Sequence, residues 1–432
     1  MNSAKRGNGA GRGFSRAPLV VLTAAALAGL AACSSGSSST GSAAAGSSSA
    51  SGSASASAAS TAGLSQFLPG KKASGTPVKI GLINNEGSSP VAEPSTGDAA
   101  VAAADYANAE LGGIAGHPIQ VVRCAENEDA ASATACANEM VQDNVAAVVI
   151  GTTGLGDTMV PIITKAGIPY VSATGSSTAE LTSPNTFMWT GGFPADLGGM
   201  AQYSKQHGFK SVTAFVIASP SALQGAKAIG GPAFKAAGVG FTIESVPEGV
   251  PDATAQVTAG LSGQTGAAAI IADAGTCASV LKALNVVHPG LPAMGNSSCA
   301  NSSVISALGS QLNGFLEFGR SDTQSGSPEA NLYQYVMAKY YPSANPTGDS
   351  VTGYQGMLGL VRATASVTGD PTPAAISAAI KASKAVVLPA GAGLTFTCNG
   401  KAMAGLSSNC SGGDVVLTMQ NGKLVNPQVL SQ

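Results

Sequence analysis

From Pro77 onward, the chain alternates between short apolar runs and longer Ala-rich segments with a helical period. The runs are continuously apolar, which is typical of parallel strands buried on both faces. They form two series that meet near residues 191–195, so we predict an α/β fold of two doubly wound parallel-sheet lobes. Strands are predicted at 78–83, 119–124, 146–151, 168–173 and 186–191, then at 211–219, 241–246, 267–274 and 292–295. Helices are predicted at 96–111, 131–143, 157–166, 195–207, 221–236, 252–263 and 276–287.

The first 33 residues carry a different pattern. Four cations precede an apolar stretch over 17–32 that ends in small side chains before Cys33. This stretch is too short to span a bilayer comfortably. The run Leu30-Ala31-Ala32-Cys33 resembles a bacterial lipobox, which predicts a signal peptide over 1–32 and lipid on Cys33. An ordinary secretory peptide cleaved nearby is the alternative.

A low-complexity segment follows the cysteine. Residues 34–63 are only Ser, Ala, Gly and Thr, a composition that buries too little apolar surface to offset chain entropy. Residues 66–76, which include Pro69 and Gly70, complete the predicted flexible linker over 33–76. A soluble body held to a membrane by its lipid alone is therefore expected.

Composition and charge narrow the function classes. Only 10% of the 432 residues are charged and the formal net charge is −2, so the chain lacks the basic excess of a nucleic-acid-binding protein. Hydrophobic residues make up 44% of the chain and aromatic residues 5%, so the core must consist mainly of aliphatic side chains. We therefore expect a globular protein with no nucleic-acid partner.

Polar loops directly follow the predicted strands, where open α/β sheets bind small ligands. Their hydroxyl and amide groups can hold a carboxylate or another polar head group. Helix capping is the alternative role for each residue, whereas the loops at 152–153 and 175–177 taken together favour ligand contact. The candidate ligand-binding residues are Glu86, Thr152, Thr153, Gly154, Thr174, Gly175, Ser176, Ser177, Ser219, Ser221, Asp273, Thr276 and Asn296.

Several segments, taken in order, resemble a known family. KIGLINNEG, AADYANAELGGIAGHPIQVV, IPYVSATGSSTAEL and SVTAFVIASPSALQG are similar to segments of the extracytoplasmic solute-binding proteins of branched-chain-amino-acid-type ABC transporters. The resemblance implies a type I periplasmic-binding fold whose two lobes are joined by a three-strand hinge. It places the crossovers near 190–196, 317–322 and 387–397. Lobe 1 would comprise 77–192 and 320–388, with helices at 328–340, 350–368 and 373–384, and lobe 2 would comprise 193–319 and 389–432.

The same resemblance implies a ligand chemistry. Amino-acid-binding members hold the ligand carboxylate at positions that correspond to 152–155 and 175–177, and hold the ammonium with an acid and aromatics of the second lobe. The place of that acid falls near Asn296. An α-amino acid would therefore need Asp273 or Glu86 as its ammonium partner, because burying an unpaired ammonium is costly. A carboxylate, an amide, a polyol or another neutral polar solute is equally compatible.

Six cysteines remain after Cys33, which allows 15 pairings. Neighbourhood in the sequence favours three local disulfides, as expected outside the cytoplasm. The predicted pairs are Cys124 with Cys136, Cys277 with Cys299, and Cys398 with Cys410, the last in a predicted hairpin of 394–398 and 414–419. A cysteine-based metal site is the alternative, but the chain has no C-x-x-C motif and no histidine close to a cysteine.

No recognisable motif encodes catalysis, so we expect neither an enzyme nor a cofactor or metal. The predicted function is the membrane-anchored solute-binding component of an ABC importer, which captures a small amino acid, carboxylate or amide between its lobes. The expected partners are that ligand, the permease subunits and the membrane through the lipid, and the expected state is a monomer on the outer face of the cell membrane. A ligand-sensing receptor of the same fold is the alternative.

Overall fold

Five of the apolar runs form one parallel sheet, with strand order β2-β1-β3-β4-β5. The computed structural model describes residues 63–87, 92–263, 265–343, 346 and 348–431, without the side chain of Ser221. The strands of this first sheet are β1 (Val78–Asn85), β2 (Ile119–Glu126), β3 (Ala147–Ile150), β4 (Tyr170–Ser172) and β5 (Thr186–Met188). The predicted signal peptide, the lipidated Cys33 and the linker up to residue 62 lie outside the described residues.

The second sheet has the order β14-β13-β10-β9-β8-β6-β7 and is parallel except at the β13–β14 edge. Its central strands are β6 (Ser211–Ile217), β7 (Gly240–Val246), β8 (Ala267–Ile271), β9 (Ala293–Gly295) and β10 (Leu316–Gly319). The C-terminal part adds β11 (Val386–Val387) and β12 (Thr395–Phe396), which pair with each other, and the edge strands β13 (Asp414–Gln420) and β14 (Lys423–Leu430). Two lobes with mainly parallel sheets confirm the predicted fold class.

Helices cover both faces of each sheet. In chain order they are α1 (Pro94–Glu110), α2 (Ala130–Gln142), α3 (Gly156–Lys165), α4 (Thr178–Thr182), α5 (Gly192–Gln206), α6 (Pro220–Gly225), α7 (Gly231–Ala237), α8 (Thr254–Gly260), α9 (Ala274–Val287), α10 (Ser302–Leu308), α11 (Pro328–Tyr340), α12 (Ser350–Ala363) and α13 (Pro373–Ala382). The single helix predicted over 221–236 is divided by a π-helical stretch, Ala226–Gly230. Among the described residues, none of the helices combines the length and apolarity needed to cross a bilayer.

Alternate residues of the strands pack into opposite layers of the core. In β1, Ile80 and Leu82 face a core shared with α1, α11 and α12, whereas Ile83 faces the core under α2 and α3. The second sheet likewise separates two cores, one of which contains Phe215 and the other Val216. Strands buried on both faces explain the continuous apolar runs of the sequence.

Residues 63–76 are part of the folded body, so the predicted linker is wrong over this stretch. Leu64 is only 1% exposed and lies in the core beside α1. The Tyr106 hydroxyl donates a hydrogen bond to the Phe67 carbonyl oxygen (2.6 Å), and the Lys71 amide donates to the Glu110 carbonyl oxygen (2.9 Å). Pro and Gly in this stretch indicated a loop. The loop packs on the first lobe because Leu64 is buried in its core.

We expect Leu64→Ala to lower the free energy of unfolding by about 2–3 kcal/mol, because it removes buried side-chain atoms and leaves a cavity. Chemical denaturation of the wild type and the variant measures the difference. Val286→Ala is the matched control, since Val286 is 72% exposed. Equal stability of the wild type and Leu64→Ala would show that residues 63–76 are not docked as described.

Three segments connect the lobes, and the third differs from the expectation. The first lies between β5 and α5, and the second between β10 and α11. Residues 389–411, however, stay with the first lobe: Phe396 stacks on Trp189 at 4.8 Å, and the amide of Cys410 donates to the Met188 carbonyl oxygen (2.8 Å). The chain therefore returns to the second lobe only after residue 411, not at 389.

The predicted C-terminal hairpin is also wrong. Its first half contributes β12, which pairs with β11 across a short loop. Its second half is β13, which pairs with β10 and β14 in the second sheet. The two runs have strand-like composition, but the crossing between lobes separates them, and no local pattern marks that crossing.

Three disulfides join the predicted pairs, namely Cys124 to Cys136, Cys277 to Cys299, and Cys398 to Cys410. Each links segments no more than 22 residues apart in sequence. Among the described residues, no group of three or more acidic, cysteine or histidine side chains is arranged to hold a metal ion.

Candidate functional site

A cleft of about 650 Å³ lies between the two lobes. Loops at the carboxyl ends of β3 and β4 and the start of α12 form its first-lobe wall, and the ends of β6, β8 and β9 contribute to the opposite wall. This is where parallel α/β sheets bind ligands. Its size suits a small organic molecule.

The first-lobe wall is hydroxyl-rich. The strands β3 and β4 end side by side, so the loops that follow them converge on one side of the cleft. The hydroxyl-bearing and glycine residues that line this wall include Thr152, Thr153, Thr174, Gly175, Ser176 and Thr352. Five of these are predicted ligand-binding residues; their role in binding stays a prediction.

The backbone amides of these loops are less available than the sequence predicts. Glu180, buried at the start of α4, accepts hydrogen bonds from the amides of Ser176 and Ser177 (both 3.0 Å) and from the Tyr170 hydroxyl (2.7 Å). The amide of Thr152 donates to the Asn84 side chain (2.8 Å). Capping interactions of this chain therefore use several predicted donors. Two wall hydroxyls are also engaged, since that of Thr153 accepts from the Leu155 amide (3.0 Å) and that of Ser176 donates to the Thr153 carbonyl oxygen (3.4 Å). In the part of the chain that the structure describes, the hydroxyls of Thr152 and Thr174 are left for a ligand.

The amide of Gly154 is used in the same way, since it donates to Glu128 Oε1 at 2.6 Å. Glu128 has a positive φ of 58°, a strained backbone conformation for a residue with a side chain. Its amide donates to Glu126 Oε2 (2.6 Å), and burial raises the pKa of Glu126 to about 7. This acidic pair supports the 152–155 loop from behind the cleft.

The second-lobe wall is mainly apolar. The π-helical stretch after α6 contributes Ile229, and π-helical turns are frequent at functional sites. Asn296 adds a polar group to this wall; its amide nitrogen donates to the Ala272 carbonyl oxygen (3.3 Å). The apolar residues that line this side include Phe193, Pro194, Ile217, Ala222, Ile229 and Ile271.

The two acids nominated as ammonium partners are engaged elsewhere. Glu86 forms an ion pair with Arg123 (2.7 Å). Asp273 caps α9, accepting hydrogen bonds from the amide and the hydroxyl of Thr276 (both 3.0 Å). Neither acid lines the cleft as the structure describes it. Both therefore have structural roles, and contact of either acid with a ligand stays a prediction.

Other candidates also serve as caps or lie off the cleft. Ser177 caps α4 in a reciprocal capping box with Glu180, and Ser219 caps α6. Gly154 and Thr276 do not line the described part of the cleft, and the side chain of Ser221 lies outside the described atoms. Capping was the alternative role, and for these serines it is the one observed.

Three charged residues that line the cleft, Glu180, Arg320 and Asp349, were missed by sequence reasoning. Arg320 follows β10 and donates a hydrogen bond from Nη1 to Asp196 Oδ2 at 3.1 Å. Asp349 lies at the start of α12 and is exposed. Arg320 lies in a predicted crossover and Asp349 directly precedes a predicted helix, which was a weak signal in each case.

Three carboxylates surround Arg320 in the interior. Burial raises the pKa of Asp196 to about 6, although the charge of Arg320 opposes the shift. Burial and the charge of Asp196 raise the pKa of Glu317 to about 8. Burial also raises the pKa of Asp414 well above its usual range. Because one guanidinium faces three buried acids, protonation of the acids is favoured.

The fold is similar to that of several solved substrate-binding proteins. A branched-chain amino acid transporter substrate-binding protein from Streptococcus pneumoniae, in complex with isoleucine, matches with a TM-score of 0.63 and 21% identity over 83% of this chain and 100% of that chain. A substrate-binding protein of an ABC transporter from Sphaerobacter thermophilus matches with a TM-score of 0.67 and 15% identity over 82% and 98%. A fatty acid ABC transporter substrate-binding protein from Thermomonospora curvata matches with a TM-score of 0.60 and 16% identity over 84% and 94%. At these identities the likeness shows the fold.

No curated protein sequence matches the chain. The sequence profile of the periplasmic binding protein family, however, matches residues 77–407. This span contains every strand of the first sheet and β6–β10 of the second. Since the match covers most of the sequence and agrees with the two-lobed architecture, the chain belongs to the periplasmic binding protein family.

Proposed function

We propose that this protein is the solute-binding component of an ABC importer, acting outside the cytoplasm and delivering a small solute to a membrane permease. The observation that carries the proposal is the cleft, in which a hydroxyl-rich wall faces an apolar wall. Family membership and the solved relatives support the same role. The protein would act by binding, without catalysis.

The two walls define the ligand that fits between them. Thr152 and Thr174 offer hydroxyl groups to a polar head such as a carboxylate, an amide or an α-amino acid. Ile217 and Ile271 offer apolar surface to an aliphatic or aromatic body. The favoured solute is therefore amphiphilic, and sugars and polyols fit less well because the second-lobe wall would leave their hydroxyl groups unpaired.

Binding would close the lobes. A ligand held by the first-lobe hydroxyls removes apolar surface from water only when the second-lobe wall meets it, so binding favours the closed conformation. Three crossing segments at 188–192, 319–328 and 411–414 allow such a motion without unfolding either sheet. The permease would then recognise the surface of the closed, ligand-bound conformation.

A thermal-shift panel of the purified protein tests the proposal. The panel contains amino acids, aliphatic and aromatic carboxylates, the corresponding amides, sugars and polyols. A solute at about 100 times its Kd should stabilise the protein by about 2.7 kcal/mol. We expect amphiphilic members to raise Tm and sugars to have no effect.

Thr174→Val links that response to the cleft. Thr174 lines the cleft, and no hydrogen bond of its hydroxyl is found within the described structure, so the isosteric change should leave folding intact. The affinity for the stabilising solute should fall about tenfold, as expected for one lost hydrogen bond. The exposed Thr178 provides the matched control, Thr178→Val. A panel without any response, or one that Thr174→Val leaves unchanged, would contradict the proposed site.

A further inference from the structure

Arg320 is the basic residue of the described cleft lining. Its Nη1 donates to Asp196, while Nε and Nη2 have no hydrogen-bond partner in the described part of the chain. The side chain is 24% exposed, so part of the guanidinium reaches the cleft. A guanidinium with free N–H groups at a partly desolvated wall is a strong site for a carboxylate.

Arg320 pairs with Asp196 and interacts electrostatically with Glu317 and Asp414. Asp196 lies in α5, Glu317 in β10 and Asp414 at the start of β13, so each is close to a different crossing segment. Glu317 Oε2 and Asp414 Oδ2 are buried and have no hydrogen-bond partner among the described atoms. Burying an ionised carboxylate without a hydrogen-bond partner costs free energy. The unpaired oxygens therefore indicate that these two groups carry protons.

The remaining charged groups around the cluster do not supply a second cation. Asp322 accepts hydrogen bonds from the hydroxyls of Ser325 and Ser327. From α12, Asp349 faces Arg320 but is exposed and so is screened by water. On the α5 side the neighbour of Asp414 is Gly199. Across the described elements that pack here, Arg320 is therefore the single positive charge among five carboxyl groups.

We propose that Arg320 binds an anionic group of the cleft ligand, and that proton uptake by Glu317 and Asp414 controls its affinity for that anion. The proposal rests on the proposed solute-binding function and names the charge of the solute. With Glu317 and Asp414 protonated, Arg320 and Asp196 form a neutral pair, and the free N–H groups attract an anion. When the two acids ionise, the cluster becomes negative and repels the anion. Because the pKa of Glu317 is about 8, the change in affinity for the anion falls in a pH range where binding can be measured.

The test compares carboxylates with their neutral amides. The probes are butyrate, 4-methylpentanoate, phenylacetate and octanoate, each beside its amide, with Kd measured by calorimetry or thermal shift from pH 6 to pH 9.5. We expect at least one carboxylate to bind tenfold or more tightly than its amide at pH 6. This preference should fall by up to tenfold per pH unit above pH 8, because binding is linked to protonation. Amide affinity should stay constant.

Variants identify the groups responsible. Glu317→Gln keeps the shape of the side chain and should retain the carboxylate preference to a higher pH than the wild type, whereas the exposed control Glu248→Gln should titrate like the wild type. A combined Arg320→Gln and Asp196→Asn variant, which avoids leaving a buried charge unpaired, should lose the preference at every pH.

The outcomes separate the two proposals. Equal binding of carboxylates and amides at pH 6 would overturn the anion site while leaving the solute-binding function intact. A carboxylate preference that is independent of pH, or unchanged by Glu317→Gln, would overturn the proton control. Failure of the whole solute panel described above would instead contradict the proposed function itself.

Discussion

An alanine at Gly353 is expected to lower the free energy of unfolding by about 3 kcal/mol. Gly353 lies in α12, where a Cβ would overlap the backbone carbonyl oxygen of Thr96 in α1. The two helices approach closely because α1 is rich in buried alanines, such as Ala99, Ala100 and Ala103. A backbone atom cannot rotate away, so the helices must separate and the core of the first lobe must expand.

Gly231→Ala is the matched control for this prediction. Gly231 is also helical, at the start of α7, but a Cβ there would meet no heavy atom within 4 Å. Helix propensity favours alanine, but Gly231 precedes Pro232, which disfavours a helical residue with a Cβ, so the change should alter the free energy of unfolding by less than about 1 kcal/mol. Denaturant unfolding of both variants measures the difference. Equal effects at the two positions would mean that α1 and α12 are not in backbone contact.

The second large effect is a loss of stability as the pH rises. Glu317 has an ordinary pKa of 4.5, raised in the folded protein to about 8 by burial. Between these values the native state binds more protons than the unfolded state, so the free energy of unfolding falls as the pH increases. The slope from one such group approaches about 1.4 kcal/mol per pH unit. Asp196, whose pKa is raised to about 6, also lowers the free energy of unfolding as the pH rises, but at lower pH values.

Glu317→Gln isolates this contribution without any ligand. The variant should match the wild type near pH 4.5 and exceed its stability by a few kcal/mol at pH 8.5, because glutamine has no proton to lose. Unfolding curves at several pH values measure both proteins, with Glu248→Gln as the control for removing one charge. A constant difference between variant and wild type across this range would show that Glu317 does not titrate with a raised pKa.

Much of the fold could be predicted because strands and helices follow local patterns. Runs such as 78–83 and 211–219 predicted β1 and β6 within two residues. The second sheet was less complete: β14 was missed, since its burial is mixed and its outer edge is unpaired. Segments that change lobe, such as 389–411, carry no local mark of the core that they join.

The sequence could predict which loops come together but not which of their groups are free. The loops after β3 and β4 both line the cleft because the carboxyl ends of parallel strands meet at one edge of a sheet. The availability of their groups could not be predicted, since an aspartate after a strand serves equally well as a cap or a ligand contact. Asp273 is a cap, while Arg320 owes its position to Asp196, 124 residues earlier.

The sequence by itself therefore determined the alternating strands and helices, the two-lobed class and the three local disulfide pairs, since each depends on neighbours within a few turns of chain. The tertiary structure decided that Leu64 is core, that Glu86 and Asp273 are occupied, and that one arginine faces a cluster of buried acids. These depend on contacts between distant segments, where small differences in packing determine which polar groups pair with each other and which remain free for a ligand.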